Sequence, residues 1–448
     1  MFKKLFGTKE FYLNIFKITL PIMLQQMLIT IVGLADNVMV GQLGEDIISG
    51  VYIATKILFI VNLSVFGIVE GASIYMSQFY GAEDKEHLKQ CFNFKLYVEV
   101  LLSIIAAIIL VFFGKNIALL FVNEHRAEIA ASYLRIYSIC LPFFMVGYGI
   151  ASSLRETQKS FIPMFSSVIG IVVNVSLNFL FIFGFDLKSD GAAIASVIAR
   201  VCEMLFLTIY VIIKKPIFYN NIFKNPKIDK LLIKPLIIKS IPLFINEFFW
   251  AAGQTILVFA YSKTGEDASS ALSISQALID LFFIAALALG SGIAISMGST
   301  LGKGDKEEAK KHVWYFDTLT IIISLVMSTL LLVVSPFFVH FYNVSDNVRD
   351  IAVRICQIGA IFLPILSLNN SNFFIIRSGG KTGLVFAFDF GFVYLIQVPL
   401  SLLLAFFTNI SLELLYFFVT GAELIKIIIG FIMIKSGVWL RNLTVLEE

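Results

Sequence analysis

An internal repeat constrains this chain more than any other feature of its sequence. Pro21 recurs 221 residues later as Pro242, and Gly71 recurs at the same offset as Gly292, without a gap between them. A polar segment also recurs, with Gly81, Asp84, Lys85, Glu86 and Lys89 in the first copy and Gly302, Asp305, Lys306, Glu307 and Lys310 in the second. Because the repeated stretch is otherwise apolar, it predicts a membrane protein in which two similar bundles surround a central path.

The composition places the chain in a lipid bilayer. Of its 448 residues, 58% are hydrophobic and only 15% are charged, whereas soluble domains carry about 25% charged residues. A net charge of +3 without a basic, aromatic-rich patch gives no reason to expect a nucleic-acid partner. The four cysteines are far apart in apolar surroundings, so they predict neither a disulfide framework nor a metal site.

Twelve stretches are long and apolar enough to cross a bilayer, which takes about 20 residues. They lie near 14–40, 47–79, 92–113, 129–153, 161–184, 191–213, 236–262, 269–300, 313–339, 350–376, 383–407 and 412–435. The first stretch has no cleavage site of the signal-peptide kind, so we interpret it as a retained helix. The predicted fold is an all-α polytopic membrane protein, with twelve transmembrane helices in two six-helix bundles related by a parallel pseudo-two-fold repeat.

The distribution of Lys and Arg predicts the orientation. The loops on one side hold 24 of these residues and those on the other side hold 5, so both termini are expected in the cytoplasm of a multi-pass protein of the plasma membrane, or cell inner membrane. A Lys- and Pro-rich segment near the middle predicts a linker. The domains are therefore an N-lobe at 1–213, a cytoplasmic linker at 214–235 and a C-lobe at 236–448.

Enzyme activity is not expected from this sequence. Gly380-Lys381-Thr382 ends like a nucleotide-binding P-loop, but Ile375 stands where that loop needs its first glycine. The chain contains neither an HExxH motif nor a Ser/His/Asp grouping that stands out. We therefore expect no cofactor.

Several segments, taken in order, resemble a known transporter family. They are Leu20–Gly44 with its Ala-Asp-Asn-Val-Met-Val-Gly-Gln-Leu-Gly ending, Gln78–Asp84, Asn174–Gly184, Gly191–Ser196 and Ile241–Trp250. Together they resemble the multidrug and toxic compound extrusion (MATE) transporters of bacteria, over about residues 12–442. The resemblance implies a cation-driven exporter with two six-helix lobes, in the same superfamily as polysaccharide and lipid flippases.

Asp36 is the first candidate for a functional residue. A carboxylate inside a span costs about 2.5–3.5 kcal/mol on insertion scales, so it normally faces a cavity or a partner. The resemblance implies a cation-binding role for Asp36 and a matching hydroxyl at Ser196. Asn174 and Asn178 share one helix face, and they either complete a Na⁺ site with Asp36 or hydrogen-bond its protonated form. The alternative is that Asp36 caps its helix and the asparagines join neighbouring helices. The family often has Asp where this chain has Asn178.

Glu247 is the matching candidate in the second half. It follows the repeated Pro242 inside an apolar stretch, and the resemblance implies a cation- or substrate-binding carboxylate. The alternative is an ion pair or a hydrogen bond that joins two helices. Asn246 and Trp250 are its neighbours. Trp250 suits stacking on an aromatic cation, although packing is the more ordinary role for a lone tryptophan.

Two other acids within spans, Asp280 and Asp389, have no obvious local partner and are secondary candidates. The sodium-type members of the family often carry an acid in the tenth span. This chain has three asparagines there instead: Asn369, Asn370 and Asn372. A full sodium-type site is therefore not expected.

Local charge pairs and prolines carry structural expectations. Glu203 has Arg200 three residues before it and Glu423 has Lys426 three residues after it, so both predict salt bridges on a helix face. The near-equivalent prolines of spans four and ten, Pro142 and Pro364, predict kinked helices.

The function predicted is secondary active multidrug export, in which Na⁺ or H⁺ moves inward and an amphipathic or cationic organic compound moves out. We expect a monomer in contact with membrane lipid. The first alternative is a flippase for lipid-linked saccharides, which would need a strongly basic cavity. The intramembrane cations are few: Lys56, Arg135, Arg200, Arg354 and Lys426. The second alternative, a sensor or channel, fits a two-part repeat within one chain less well.

Overall fold

The computed structural model describes residues 6–41, 43–219, 227–265, 267–342 and 344–445. Within these ranges the chain is helical and contains no strand. The α-helices are α1 Lys9–Gly41, α2 Glu45–Gly81, α3 Lys85–Ala118, α4 Glu124–Ser138, α5 Leu141–Glu156, α6 Phe161–Asn178, α7 Lys188–Lys214, α8 Lys230–Ser262, α9 Ala268–Gly302, α10 Lys306–Phe338, α11 Asp346–Ser378, α12 Thr382–Phe392, α13 Val398–Phe407, α14 Leu412–Gly421 and α15 Glu423–Lys435.

Twelve spans follow from these helices. Eleven helices or continuous helical runs in the described ranges are long and apolar enough to cross a membrane, and the bent pair α4 and α5 forms the twelfth. The runs 382–407 and 412–435 each combine two of the helices. The prediction of an all-α polytopic fold with twelve spans is confirmed.

Two compact units divide the chain. We call Leu20–Phe244 the N-unit, and Met1–Thr19 together with Ile245–Val445 the C-unit. The boundaries fall inside α1 and α8, so each of these two helices contributes to both units. The division into lobes at 1–213 and 236–448 stays a prediction. Of the predicted linker, residues 220–226 lie outside the described residues, as do residues 1–5 and 446–448 at the ends of the lobes.

Close helix packing in each unit uses a glycine of the repeat. In the N-unit, a Cβ added at Gly71 would lie 2.5 Å from Cα and 2.6 Å from N of Ser240 on α8. In the C-unit, a Cβ added at Gly292 would meet Oγ1 of Thr19 on α1. Ser240 and Thr19 are themselves 221 residues apart. The repeat therefore preserves one contact, in which a small residue lets the first turns of a long helix pack closely against it.

The two prolines of the equivalent spans behave differently. α4 and α5 meet at an angle of 55°, and Pro142 lies in the first turn of α5. The kink predicted for the span that contains Pro142 is therefore present. Pro364 lies inside the uninterrupted helix α11. A proline cannot donate a hydrogen bond to the carbonyl four residues before it, here that of Ala360. Oγ of Ser328 on α10 donates to this carbonyl at 2.5 Å, so the freed acceptor is satisfied without a break in the helix.

Two π-helical turns lie beside the candidate sites. Phe179–Gly184 follows α6 directly after Asn178, and Val393–Gln397 separates α12 from α13. The second turn precedes Pro399, which lacks the amide that a continuous α-helix would use. Such turns are frequent at functional sites, and here each directly follows a helix that carries a polar candidate.

Candidate functional site

The four candidates of the N-unit lie together. Asp36 comes from α1, Asn174 and Asn178 from α6, and Ser196 from α7. Nδ2 of Asn178 donates to Oδ1 of Asp36 at 2.7 Å and to Oδ1 of Asn174 at 3.3 Å. Nδ2 of Asn174 donates to Oγ of Ser196 at 3.3 Å. One chain of polar contacts thus joins three helices around a single carboxylate.

The Asn174 amide can turn either of its ends to Asp36. If the Asn174 amide is turned over, its nitrogen lies 3.1 Å from both Asp36 oxygens and its oxygen accepts from Ser196. Oδ1 of Asn178 is buried without a hydrogen-bond partner. An unpaired buried acceptor is costly. The amide donors suit an ionised Asp36, while the unpaired oxygen would suit a cation or a proton on the carboxylate.

Neighbouring side chains tune this site. Tyr133 forms a hydrogen bond with Ser196, and Arg200 attracts Asp36 electrostatically. Nη1 of Arg200 also lies 2.8 Å from Oε2 of Glu203, so the predicted helix-face pair is confirmed. Tyr133 was not predicted from the sequence, where the one available signal is Tyr137, four residues further along the same helix.

The polar cluster of the C-unit is built around Asp389 on α12. Nδ2 of Asn246 on α8 donates to Oδ2 of Asp389 at 3.2 Å, and Nζ of Lys426 on α15 lies 2.6 Å from Oδ1. Glu247 is close enough to Asp389 for their charges to interact. The close ion pair of Lys426 is with Asp389, which approaches from another helix, while Glu423, the partner predicted for Lys426, attracts it electrostatically.

Glu423 is held by amides instead. Nδ2 of Asn369 on α11 donates to Oε2 at 2.7 Å, and Nε2 of Gln397 in the π-helical turn donates to Oε1 at 3.0 Å. One of the three asparagines of the tenth span therefore binds an acid from the twelfth. No local pattern in the sequence joins these three residues, since they come from three different spans.

Trp250 lies at the edge of the same cluster. It lines a crevice with Asn246, Asp389 and the aromatic residues Phe390 and Tyr394, and it is 41% exposed. Asp280 is an exposed residue of α9 and accepts from Nε2 of Gln276, one turn earlier, at 2.7 Å. Asp389, Asn246 and Trp250 are thus brought together. Asp280 stays a secondary candidate.

Asp36, Asn174 and Asn178 are the residues at which a Na⁺ ion was predicted. Across the ranges that the structure describes, there is no group of three or more His, Cys, Asp or Glu side chains that could hold a metal ion. A Na⁺ ion at Asp36, Asn174 and Asn178 would rely on one carboxylate and on amide oxygens. The unpaired Oδ1 of Asn178 is the one such oxygen already free, so Na⁺ as a transported ion stays a prediction.

Comparison with known families decides where the chain belongs. The MatE family model matches residues 21–180 and again residues 242–403, and the two matches begin at the repeated prolines. The chain belongs to the MATE family. This MATE protein is 26% identical over 346 residues to the probable multidrug resistance protein YoeA of Bacillus subtilis, covering 75% of each chain. It is 23% identical over 406 residues to the multidrug export protein MepA of Staphylococcus aureus, covering 82% of this chain and 88% of MepA.

Solved structures agree with the MATE fold. A structure described as the outward-facing conformation of a multidrug resistance MATE family transporter matches with a TM-score of 0.89 at 16% identity, covering 97% of both chains. A MATE crystallised in complex with MaL6 matches with a TM-score of 0.89 at 16% identity, covering 95% of this chain and 96% of the other. At this identity the likeness shows the fold.

Proposed function

We propose that this MATE protein is a secondary active exporter that exchanges Na⁺ or H⁺, moving inward, for an amphipathic or cationic organic compound moving out across the plasma membrane. The observation that carries the proposal is the contact between Asp36 and Asn178, which places a carboxylate in a polar cluster of three spans. The names of YoeA and MepA support multidrug export as the activity.

An inward cation supplies enough free energy for this exchange. One elementary charge that crosses 100 mV releases about 2.3 kcal/mol, roughly a fifty-fold concentration ratio. An embedded carboxylate is costly to leave without a partner, so cation binding at Asp36 is favoured. Cation and substrate must disfavour each other's bound state to the same degree, because coupling between two ligands is reciprocal.

We assign binding of the organic substrate to the C-unit. Glu247 and Asp389 form an acidic pair beside the exposed Trp250 and the crevice aromatics, a combination that suits an organic cation. Asp36, Asn174, Asn178 and Ser196 then serve the coupling ion. Both termini lie in the cytoplasm in this proposal, as the Lys and Arg distribution indicates, and the protein works as a monomer.

The flippase alternative gains no support from the buried cations. Three of the five predicted intramembrane basic residues lie next to acids within the described structure: Arg200 beside Glu203, Arg354 beside Glu413 and Lys426 beside Asp389. Paired cations provide little free positive charge for a lipid pyrophosphate. We therefore retain export of organic compounds as the function.

Efflux from proteoliposomes with separately imposed Na⁺ and pH gradients tests the proposal. The parent should extrude a fluorescent organic cation under at least one gradient, and Asp36→Asn and Glu247→Gln should each slow efflux at least about tenfold, which is about 1.4 kcal/mol. The matched control is Asp46→Asn, because Asp46 is an exposed acid paired with Arg126 at the start of α2. Parental efflux rates in both site variants would refute the mechanism.

A further inference from the structure

The acid at the centre of the C-unit cluster already holds a cation that belongs to the protein. The side chains of Lys426 and Asp389 are only 12% and 11% exposed, and Nζ and Oδ1 are 2.6 Å apart. The ammonium group also lies 5.3 Å from the ring centroids of both Phe388 and Phe392. A carboxylate together with two aromatic faces is a recognition site for an alkylammonium group.

The surrounding residues leave this lysine replaceable. Oδ2 of Asp389 accepts from Asn246 and does not depend on Lys426. Glu423 has its own donors in Asn369 and Gln397, and it precedes Lys426 by three residues on one helix. Each carboxylate oxygen can accept a second hydrogen bond. Glu423 is therefore a second resting place within reach of the Lys426 side chain.

We propose that Lys426 is a tethered occupant of an organic-amine site, and that the ammonium group of a transported amine replaces it on Asp389. This inference rests on the proposed export function and adds the chemical class of the substrate. The incoming group preserves the ion pair, so Asp389 never has to be left unpaired in the membrane, where a lone charge is expensive. Lys426 moves to Glu423 while the site is loaded.

The crevice beside Asp389 suits the rest of such a molecule. Its lining includes Trp250, Phe390 and Tyr394, and the rings of Phe390 and Tyr394 are stacked with their centroids 4.7 Å apart. Asp389 is itself one of the residues that line this crevice, so an amine bound to its carboxylate would hold an aromatic body next to these rings. Contact with these apolar surfaces would not stabilise a bound inorganic ion. The site therefore favours an amphipathic amine over Na⁺.

Equilibrium binding of dansylcadaverine to the purified, detergent-solubilised protein tests the proposal. This probe carries a primary ammonium on an aromatic body, and its N-acetylated form is the uncharged match. If Lys426 occupies Asp389 for about nine-tenths of the time, its removal lowers the apparent Kd about tenfold. Lys426→Met should therefore bind the amine about tenfold more tightly than the parent, while Lys426→Arg, which keeps a cation, should resemble the parent.

Three controls separate displacement from other causes. Lys435→Met removes an exposed cation from the same helix and should leave Kd unchanged. Asp389→Asn combined with Lys426→Met should lose the gain in affinity. The acetylated probe should bind Lys426→Met no better than the parent. Lys426→Gln, which keeps a donor for Asp389, replaces Lys426→Met if the latter does not give a folded, monodisperse protein.

The outcomes also separate this inference from the proposed function. Unchanged or weaker amine binding by both Lys426→Met and Lys426→Gln overturns the inference, as does an equal gain in Lys435→Met. The gradient-driven efflux of the parent then still decides the export function on its own. A parent that neither binds nor exports any organic cation under either gradient overturns both.

Discussion

The N-unit and the C-unit share their packing contacts but not their buried charges. Asp46 pairs with Arg126 in the N-unit, with Nε and Oδ1 2.8 Å apart, and at the same offset of 221 residues Asn347 donates to Asp267 at 2.6 Å. The caps also recur, since Asp84 accepts from the amide of His87 and Asp305 accepts from the amide of Glu308. The contacts at helix ends are thus preserved as a set.

The interior charges have diverged completely. The residue that corresponds to Asp36 is Leu257, and the one that corresponds to Glu247 is Gln26. Lys95, which forms a buried ion pair with Glu156, corresponds to the apolar residue Phe316. Helix ends and close contacts therefore belong to the common scaffold, whereas the embedded charges give each unit a chemistry of its own. This difference makes three predictions.

The largest effect is expected at Lys95, a charge that only the N-unit carries. Lys95 is fully buried, and its Nζ contacts Glu156 and also Oγ of Ser152 at 3.2 Å. Lys95→Met would leave Glu156 without its cation, and breaking a buried ion pair from one side costs about 3–5 kcal/mol. We expect a loss of that size in the free energy of unfolding, measured by denaturant titration in micelles.

The double variant sharpens this prediction. Lys95→Met with Glu156→Met replaces the pair by apolar side chains and should recover most of the stability, because such replacements are often neutral. The matched control is Phe316→Met, the same apolar residue at the corresponding position of the C-unit. If Lys95→Met costs no more than Phe316→Met, then the ion pair is not what distinguishes the N-unit.

The second prediction concerns the shared contact at Gly71 and Gly292. Gly71→Ala would press against the backbone of Ser240, with Cα only 2.5 Å away, so a whole helix must move. Gly292→Ala would meet Oγ1 of Thr19, a side-chain atom that can rotate, and Thr19 Cβ is 3.6 Å away. Overpacking costs about 1–3 kcal/mol. We expect about 3 kcal/mol for Gly71→Ala and about 1 kcal/mol for Gly292→Ala, from the same titrations.

Two further variants check the cause. Thr19→Ala should cancel the cost of Gly292→Ala, whereas Ser240→Ala should not cancel that of Gly71→Ala, since the clash there is with backbone. Gly33→Ala, which meets no atom within 4 Å, should cost nothing. Equal losses at Gly71 and Gly292 would mean that the two units tolerate the same overpacking.

Much of the fold could be predicted because a bilayer imposes simple rules. Each backbone amide must be paired inside lipid, so the apolar stretches had to be helices, and their number followed from their length. The uninterrupted course of α11 through Pro364 could not be predicted. It depends on Ser328 of another helix, which satisfies the Ala360 carbonyl that Pro364 frees.

The candidate sites were harder to predict from the sequence than the fold. The cluster of Asp36, Asn174 and Asn178 followed from a family resemblance, and the structure brings these residues within hydrogen-bonding distance. The close contact between Lys426 and Asp389 was missed, because Asp389 comes from another helix, whereas Glu423 is three residues from Lys426 in the sequence. Which of two acids a buried cation contacts depends on helix packing, and no local pattern contains that information.

The smallest expected effect comes from Asn178→Asp, which gives the N-unit a second embedded acid. Asn178 lies 2.7 Å from Asp36, so two carboxylates there would repel each other when the site is empty and would be relieved by a bound cation. We expect about tenfold tighter Na⁺ binding, about 1.4 kcal/mol, measured with radioactive Na⁺ in alkaline buffer, where protons compete least.

Two controls accompany this measurement. A Glu247→Gln background limits the contribution of the C-unit. Asp36→Asn with Asn178→Asp exchanges the two groups, leaves one carboxylate and should bind like the parent. If Asn178→Asp leaves the Na⁺ affinity unchanged while the exchanged pair still binds Na⁺, the affinity of this site does not depend on its number of carboxylates. The difference in buried charge between the two units would then not explain why one serves the coupling ion and the other the substrate.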